Sequence, residues 1–243
     1  MVVLRRHQLA WLSDAGWREL KRPAGDDNVA HCMAHWAARR LPLVVTRQTS
    51  CVGAVSVATA DAICLGLPAP TRFGRRKIAL QVPRSSVLFF DAFPLAADIT
   101  RLFAREHRVP WLELCAAVGR LGVAARVHGS HGWQRLTGLS YLHALSDIDL
   151  HLAVGSVAQA DAVVALLSTT TFGGPRIDGE LVFPDGSAVA WREWWQWRQG
   201  RVRQVLVKRL SGAALESGLQ WLLPDKPGVQ SPEQACEPAA VAA

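Results

Sequence analysis

Two aspartates, Asp147 and Asp149, interrupt the apolar run SDIDLHLAV at residues 146–154. Residues two apart in a β-strand point to the same face, so both carboxylates lie on one side, while Ile148 and Leu150 lie on the other. Neighbouring carboxylates repel each other unless a divalent cation lies between them, and ligands made only of oxygen suit magnesium. The spacing therefore predicts that Asp147 and Asp149 bind Mg²⁺ (or Mn²⁺). The alternative is an edge strand with a solvated polar face.

The segment VAARVHG predicts a strand that runs into a glycine and a serine, Gly129 and Ser130. A glycine at this point predicts a tight turn whose exposed backbone N–H groups can bind a phosphate. Together with the two aspartates, the turn predicts a metal-and-triphosphate site of the nucleotidyltransferase type.

Sites of this type take a third carboxylate from a neighbouring strand. Asp178 and Glu180 share one face of the predicted strand in RIDGELVF, and either could supply it. We favour Asp178 because Glu180 lies nearer to the hairpin turn that Pro184, Asp185 and Gly186 predict. A solvated strand face is the alternative for both residues.

Basic residues occur at two further places that could bind a phosphorylated substrate. Lys208, in RQVLVKRL, could contact the triphosphate, although lysine is also common on edge strands that need only protection from aggregation. The loop GLPAPTRFGRRK carries Arg75, Arg76 and Lys77, which indicate either substrate contacts or an ordinary solvated loop.

The elements that must position these residues predict an α/β (α+β) fold in two parts. Residues 1–90 form a smaller N-terminal α+β module, with a helix in DDNVAHCMAHWAARR and strands in LPLVVTRQ and KIALQV. Residues 91–223 form the catalytic domain, in which strands, helices and one hairpin alternate around a mixed sheet. Two helical segments separated at Pro110 open this domain, and Ser156 is the predicted N-cap of a later helix. Residues 224–243, rich in Pro, Gln, Ser and Ala, predict a disordered tail.

The composition limits the class of partner. The 243 residues are 50% hydrophobic and 19% charged, which is typical of a globular protein, and the net charge of +7 favours an anionic partner. Five cysteines without a CxxC pair predict reduced thiols in a cytoplasmic protein. No run of about 18 apolar residues occurs, so no membrane partner is expected.

The segment RVHGSHGWQRLTGLSYLHALSDIDLHL resembles the signature of the malonate decarboxylase holo-acyl-carrier-protein synthases, the phosphoribosyl-dephospho-CoA transferases. The resemblance extends to PRIDGELVFPDGSAVAWREW and VLVKRL, and more loosely to RRHQLAWL, LPLVVTR and GLPAPTRFGRRKIAL. It covers most of the chain except residues 84–110 and the tail. The spacing between Ser130 and Asp147 is long for nucleotidyltransferases in general, although it suits the LTGL insertion of this family.

The resemblance implies a nucleotidyltransferase-like C-terminal domain and a specific reaction. The donor would be 2'-(5''-triphosphoribosyl)-3'-dephospho-CoA, and its phosphoribosyl-dephospho-CoA group would pass to a serine of the acyl-carrier subunit of malonate decarboxylase, with release of diphosphate. Asp147 and Asp149 would hold the metal, Gly129 and Ser130 the triphosphate, and Asp178 would activate the serine. Further residues assigned to substrate binding are Gln134, Thr137, Lys208, Arg75 and Arg76.

Two other functions fit parts of the sequence. A transferase of the same fold could use ATP to modify another protein or a small molecule. A basic protein with an inactive site could instead bind nucleic acid, with a steep dependence on salt and no need for magnesium. The pair Asp147 and Asp149 argues against the second function, because an inactive copy has no reason to keep like charges together. We therefore expect no nucleic-acid partner.

Overall fold

The structure is a computed structural model that describes residues 3–20, 26–48 and 61–222. These residues form a mixed α+β fold in two domains, each built around its own sheet, as the sequence predicts. The predicted tail at residues 224–243 lies outside the described residues. Among the helices of the described ranges, none combines the length and the apolar character needed to cross a lipid bilayer.

The N-terminal domain contains an antiparallel five-stranded sheet in the order β4-β3-β2-β1-β5. Its strands are β1 (Leu9–Leu12), β2 (Leu43–Val45), β3 (Ala62–Pro68), β4 (Lys77–Pro83) and β5 (Val87–Asp91). Its helices are α1 (Asp14–Glu19) and α2 (Asp27–Arg39). Short 3-10 turns lie at Thr71–Phe73 and Arg84–Ser86.

Helix α2 confirms the helix predicted in DDNVAHCMAHWAARR. It begins at the N-cap Asp26, whose side chain accepts a hydrogen bond from the backbone N–H of Val29. Its buried residues recur at helical spacing and pack against the sheet, and they are Val29, Cys32, Met33 and Trp36. This one apolar face is sufficient to fix the helix on the sheet.

The C-terminal domain contains a six-stranded sheet in the order β11-β10-β9-β8-β7-β6, in which only the β7–β8 pair is parallel. Its strands are β6 (Ala125–Val127), β7 (Ile148–Ala153), β8 (Ile177–Val182), β9 (Ala188–Ala190), β10 (Val205–Lys208) and β11 (Ala213–Glu216). Its helices are α3 (Arg105–Arg120), α4 (Gly129–Thr137), α5 (Val157–Thr169) and α6 (Trp191–Arg198). Further 3-10 segments lie at Ala96–Leu102 and Gln220–Leu222.

The crossover from β7 through α5 to β8 positions the acidic strand. Ser156 is the N-cap of α5 as predicted, and its side chain accepts a hydrogen bond from the N–H of Gln159. Ile148, Leu150 and Leu152 of β7 are at most 2% exposed and form the core, so the alternate residues of β7 lie on the other face. Strand β7 lies between β6 and β8, so the alternative of an edge strand is wrong.

Helix α3 differs from the prediction of a break at Pro110. The interruption lies earlier, between the 3-10 segment and Arg105, and Pro110 lies inside the helix. A proline there removes one backbone hydrogen bond. Burial of Trp111, Leu114 and Val118 compensates for this loss, and the indole N–H of Trp111 donates to the carbonyl of Ala96 at 2.8 Å.

The described cysteines are not all reduced. Cys32 and Cys115 are free, and burial raises the pKa of Cys32 to about 12 and that of Cys115 to about 11, so both are unreactive thiols near pH 7. Cys64 is disulfide-bonded, so the expectation of reduced thiols is wrong at this position. Cys51 and Cys236 lie outside the described residues.

Candidate active site

Three carboxylates meet on one face of the C-terminal sheet. Asp149 of β7 lies directly opposite Asp178 of β8 in the parallel register, and Asp147 immediately precedes β7. Burial, followed by the charges of Asp178 and Asp147, raises the pKa of Asp149 to about 6. The three side chains therefore repel one another, and the cluster has a surplus of negative charge.

A cation that the sequence analysis missed partly compensates this charge. Arg176 donates a hydrogen bond to Asp147 at 2.5 Å and lies 3.6 Å from Asp178. This hydrogen bond and the positive charge lower the pKa of Asp147. Arg176 lies two residues before Asp178, so the same alternation that pairs Asp147 with Asp149 could have identified it.

The donor set has the chemistry of a site for a divalent cation. The three carboxylates offer only oxygen ligands, and a bound divalent cation would reduce the repulsion among them. Within the described ranges, however, no group of three His, Cys, Asp or Glu side chains is arranged to hold a metal ion. Arg176 contacts two of the three carboxylates, Asp147 and Asp178, so its guanidinium competes with a cation for them.

Gly129 and Ser130 form the first turn of helix α4, where the sequence predicted a tight turn. Gly129 has a φ of +58°, and a Cβ atom placed on it would lie 2.8 Å from Cγ of Asp149. Only glycine therefore fits between the helix start and this carboxylate. The N-cap His128 makes no side-chain cap hydrogen bond, so the first backbone N–H groups of α4 are available to an anion beside the acidic cluster.

Gln134 and Thr137 hold the segment that leads to Asp147. The Gln134 amide oxygen accepts hydrogen bonds from the backbone N–H groups of Tyr141 and Leu142 at 3.0 and 3.1 Å. The Thr137 hydroxyl donates to the carbonyl of Trp133 at 2.7 Å. These polar groups are occupied by backbone, so the structure gives them a positioning role, and their contact with substrate stays a prediction.

Glu180 faces a different set of partners from Asp178. Its carboxylate accepts a hydrogen bond from Lys208 at 2.7 Å and lies 3.4 Å from Arg6 and 3.5 Å from His7. Burial alone would raise the pKa of Glu180, but His7, Arg6 and Lys208 outweigh burial and hold this pKa well below its usual range. Lys208 lies on β10, between β9 and β11, so it is not an edge-strand lysine, and its contact with the triphosphate stays a prediction.

The N-terminal domain brings Arg6 and His7 to the C-terminal domain. His7 has a φ of +60°, a conformation that costs a residue other than glycine about 1 kcal/mol or more. Its ring stacks on that of His128 with the centroids 4.3 Å apart. Burial, together with the neighbouring His7, holds the pKa of His128 well below its usual range, so this ring is neutral near pH 7. The contact between His7 and His128 joins the two domains, so the sequence of either domain alone could not have predicted it.

The three basic residues of the loop, Arg75, Arg76 and Lys77, have different surroundings in the structure. Arg76 forms an ion pair with Asp26, the N-cap of α2, and Arg75 is exposed. Lys77 lines a cavity of about 450 Å³ between the two domains, which Gly129 and Ser130 also line. The structure therefore brings Lys77 close to the predicted phosphate site and does not bring Arg75 or Arg76 to the carboxylates. Substrate binding by these two arginines stays a prediction.

Replacement of Glu180 by Gln is expected to lower the free energy of unfolding by about 2 kcal/mol, because Arg6 and Lys208 would lose their buried counter-charge. A carboxyl with a depressed folded pKa stabilises the protein above its unfolded pKa, and this stabilisation is lost as the pH falls through the folded pKa. The difference in Tm between wild type and Glu180→Gln should therefore be largest near pH 7 and should narrow on acidification to pH 3.

Glu216→Gln is the matched control for this measurement. Glu216 accepts a hydrogen bond from Arg209 at 3.0 Å, but both side chains are about one-third exposed, so its loss should cost less than about 1 kcal/mol. Equal effects of the two substitutions at pH 7 would contradict the stabilising role of the Glu180 cluster.

Sequence comparisons match both domains to known proteins. The model of the phosphoribosyl-dephospho-CoA transferase MdcG C-terminal domain matches residues 95–218, and that of the MdcG N-terminal domain matches residues 5–93. The chain is 33% identical over 219 residues to the phosphoribosyl-dephospho-CoA transferase of Bradyrhizobium diazoefficiens, covering 89% of this chain and 92% of that protein. It is 36% identical over 206 residues to the phosphoribosyl-dephospho-CoA transferase of Xanthomonas euvesicatoria pv. vesicatoria, covering 84% of this chain and 89% of that protein. No solved structure matches the chain significantly.

Proposed function

The chain belongs to the phosphoribosyl-dephospho-CoA transferase MdcG family and is a transferase, and from this premise we propose its donor and acceptor. The donor is 2'-(5''-triphosphoribosyl)-3'-dephospho-CoA, and the acceptor is a serine of the acyl-carrier subunit of malonate decarboxylase. The products are the modified carrier and diphosphate. The observation that carries the proposal is the cluster of Asp147, Asp149 and Asp178 beside the uncapped start of α4.

The start of α4 supports a triphosphate as the reacting group. Its first backbone N–H groups and the Ser130 hydroxyl are donors that suit phosphate oxygens, and the positive end of the helix dipole adds to them. The same turn contacts Asp149 through Gly129, so a bound triphosphate would lie against the carboxylates. This proximity is the arrangement that phosphoryl transfer requires.

The carboxylates support the transfer step. Asp147 and Asp149 would hold Mg²⁺ (or Mn²⁺), which when bound would supply positive charge to the leaving diphosphate. The serine oxygen attacks the α-phosphorus, the bond to diphosphate breaks, and Asp178 accepts the serine proton. The side chain of Asp178 is 34% exposed, so an acceptor serine can reach it from solvent. The Oδ1 atom of Asp178 accepts a hydrogen bond from the backbone N–H of Gly179 at 2.9 Å, and this bond fixes the orientation of the carboxylate.

A basic cleft beside the carboxylates supports an acidic protein as acceptor. Arg176, Arg192 and Arg201 line this cleft, whose volume is about 440 Å³. An acidic carrier would be attracted to these side chains, in keeping with the net charge of +7. Such attraction raises the rate of encounter, and the effect falls with ionic strength.

The proposal is tested by mass spectrometry of the purified acyl-carrier subunit after incubation with this protein, donor and magnesium. We expect the carrier mass to increase by the phosphoribosyl-dephospho-CoA group, with release of diphosphate. A carrier whose acceptor serine is replaced by alanine is the control and should stay unmodified. A mass increase with ATP in place of the donor would favour the ATP-dependent alternative. Salt-sensitive binding of nucleic acid without any modification would overturn the proposal.

A further inference from the structure

The cavity between the two domains is large enough for more than a triphosphate. Its volume of about 450 Å³ lies within the range of about 300–1,000 Å³ that is usual for pockets of small molecules and cofactors. One wall is the start of α4 with Gly129 and Ser130, and the opposite wall is formed by the ends of β2 and β3 and the first residue of β4. The N-terminal domain therefore builds half of a pocket whose other half is the predicted triphosphate site.

The N-terminal wall carries positive charge that is not paired with any carboxylate of the described residues. Arg47 and Lys77 line the cavity and are exposed to solvent. Neither forms an ion pair with a carboxylate in the described parts of the chain. The described residues that line the cavity include no Asp or Glu. Two unpaired cations in an acid-free concave wall are suited to an anionic ligand group.

Much of the cavity lining is apolar. Val44, Val45 and Leu67 contribute to it from the N-terminal wall, and Phe93 and Trp133 contribute from the C-terminal domain. A ligand that fits must therefore combine apolar parts with two separate anionic groups, one at the start of α4 and one at Arg47 and Lys77. ATP has a single anionic group. The proposed donor has two, since a diphosphate joins the adenosine and pantetheine parts of dephospho-CoA, apart from the triphosphate on the added ribose.

We propose that this cavity binds the dephospho-CoA part of the donor, with Arg47 and Lys77 contacting its internal diphosphate while the triphosphate lies at Gly129 and Ser130. The inference rests on the proposed function for the identity of the donor. It gives the N-terminal domain a defined role, which is to hold the part of the donor that does not react. Binding energy from such a remote part helps to position the α-phosphorus at the carboxylates.

Direct binding of 3'-dephospho-CoA, which has no triphosphate and cannot react, tests the cavity. We expect calorimetry on the full chain at low salt to show that Arg47→Ala with Lys77→Ala weakens binding at least tenfold, because two charge-assisted contacts are lost. The matched control is Arg39→Ala. Arg39 is an exposed arginine at the end of α2 that does not line the cavity, so binding should be unchanged. The double variant should also lower kcat/KM for the donor at least tenfold.

The outcomes separate this inference from the proposed function. Wild-type protein that does not bind 3'-dephospho-CoA, or a double variant that binds it as tightly as Arg39→Ala does, would overturn the cavity assignment even if the carrier is modified normally. If the carrier is not modified but binding of 3'-dephospho-CoA still depends on Arg47 and Lys77, the cavity assignment stands and the proposed function fails.

Discussion

Replacement of Asp149 by Asn is expected to lower the rate of transfer to the carrier by about a thousandfold or more while the fold persists. The substitution keeps the shape of the side chain but removes the charge that lies between Asp178 and Gly129. It would remove both a ligand of the proposed cation and the compensation of charge at the leaving diphosphate. Transfer is measured under single-turnover conditions by mass spectrometry of the carrier. Asp147→Asn should lower the rate to a similar extent.

The stabilities of the two variants should differ in sign. The folded pKa of Asp149 is raised to about 6, so its ionised form destabilises the fold above that pH, and Asp149→Asn should melt at the same or a higher temperature at pH 7. The pKa of Asp147 is instead lowered by its hydrogen bond from Arg176, so Asp147→Asn should lose a little stability, which solvent screening of this exposed pair keeps small.

The control for both variants is Asp61→Asn. Asp61 is exposed and precedes β3 at the end of that strand opposite to the cavity, so the same chemical change should leave transfer and melting temperature nearly unchanged. If Asp149→Asn modifies the carrier at close to the wild-type rate, the assignment of the active site to this face of the sheet is wrong.

Replacement of Gly129 by Ala is expected to lower the transfer rate by about a hundredfold, because the added methyl group must displace either Asp149 or the start of α4. A Cβ atom at this position would lie 2.8 Å from Cγ of Asp149, which is too close for two carbon atoms. The φ of +58° adds backbone strain of about 1 kcal/mol or more. Single-turnover kinetics and thermal melting measure the two effects.

Gly138→Ala separates the clash from the backbone strain. Gly138 ends the same helix with a φ of +69°, but a Cβ atom there would have no neighbour within 4 Å among the described residues. This variant should lose about 1 kcal/mol of stability and keep nearly all of its activity. Equal losses of activity in the two variants would show that strain in α4, and not contact with Asp149, limits the reaction.

Much of the candidate site could be predicted because it depends on local geometry. The alternation of side chains along a strand is enough to place Asp147 and Asp149 on one face opposite the buried Ile148 and Leu150. A glycine directly after a strand is enough to predict exposed backbone donors at residue 129, although α4 and not a turn provides them. The N-cap at Ser156 likewise follows from one residue and its neighbours.

Tertiary structure decided which distant residues complete the site. The parallel pairing of β7 and β8 needs the whole α5 crossover, and it is this pairing that sets Asp178 beside Asp149 and lets Arg176 reach Asp147 from 29 residues away. Asp178 and Glu180 share a strand face, but Arg176 lies beside Asp178, whereas Glu180 is engaged by Lys208 and, from the N-terminal domain, by Arg6 and His7. Ion pairs depend on distances between residues that are far apart in the sequence. The periodic pattern of apolar residues along the chain does not determine these distances.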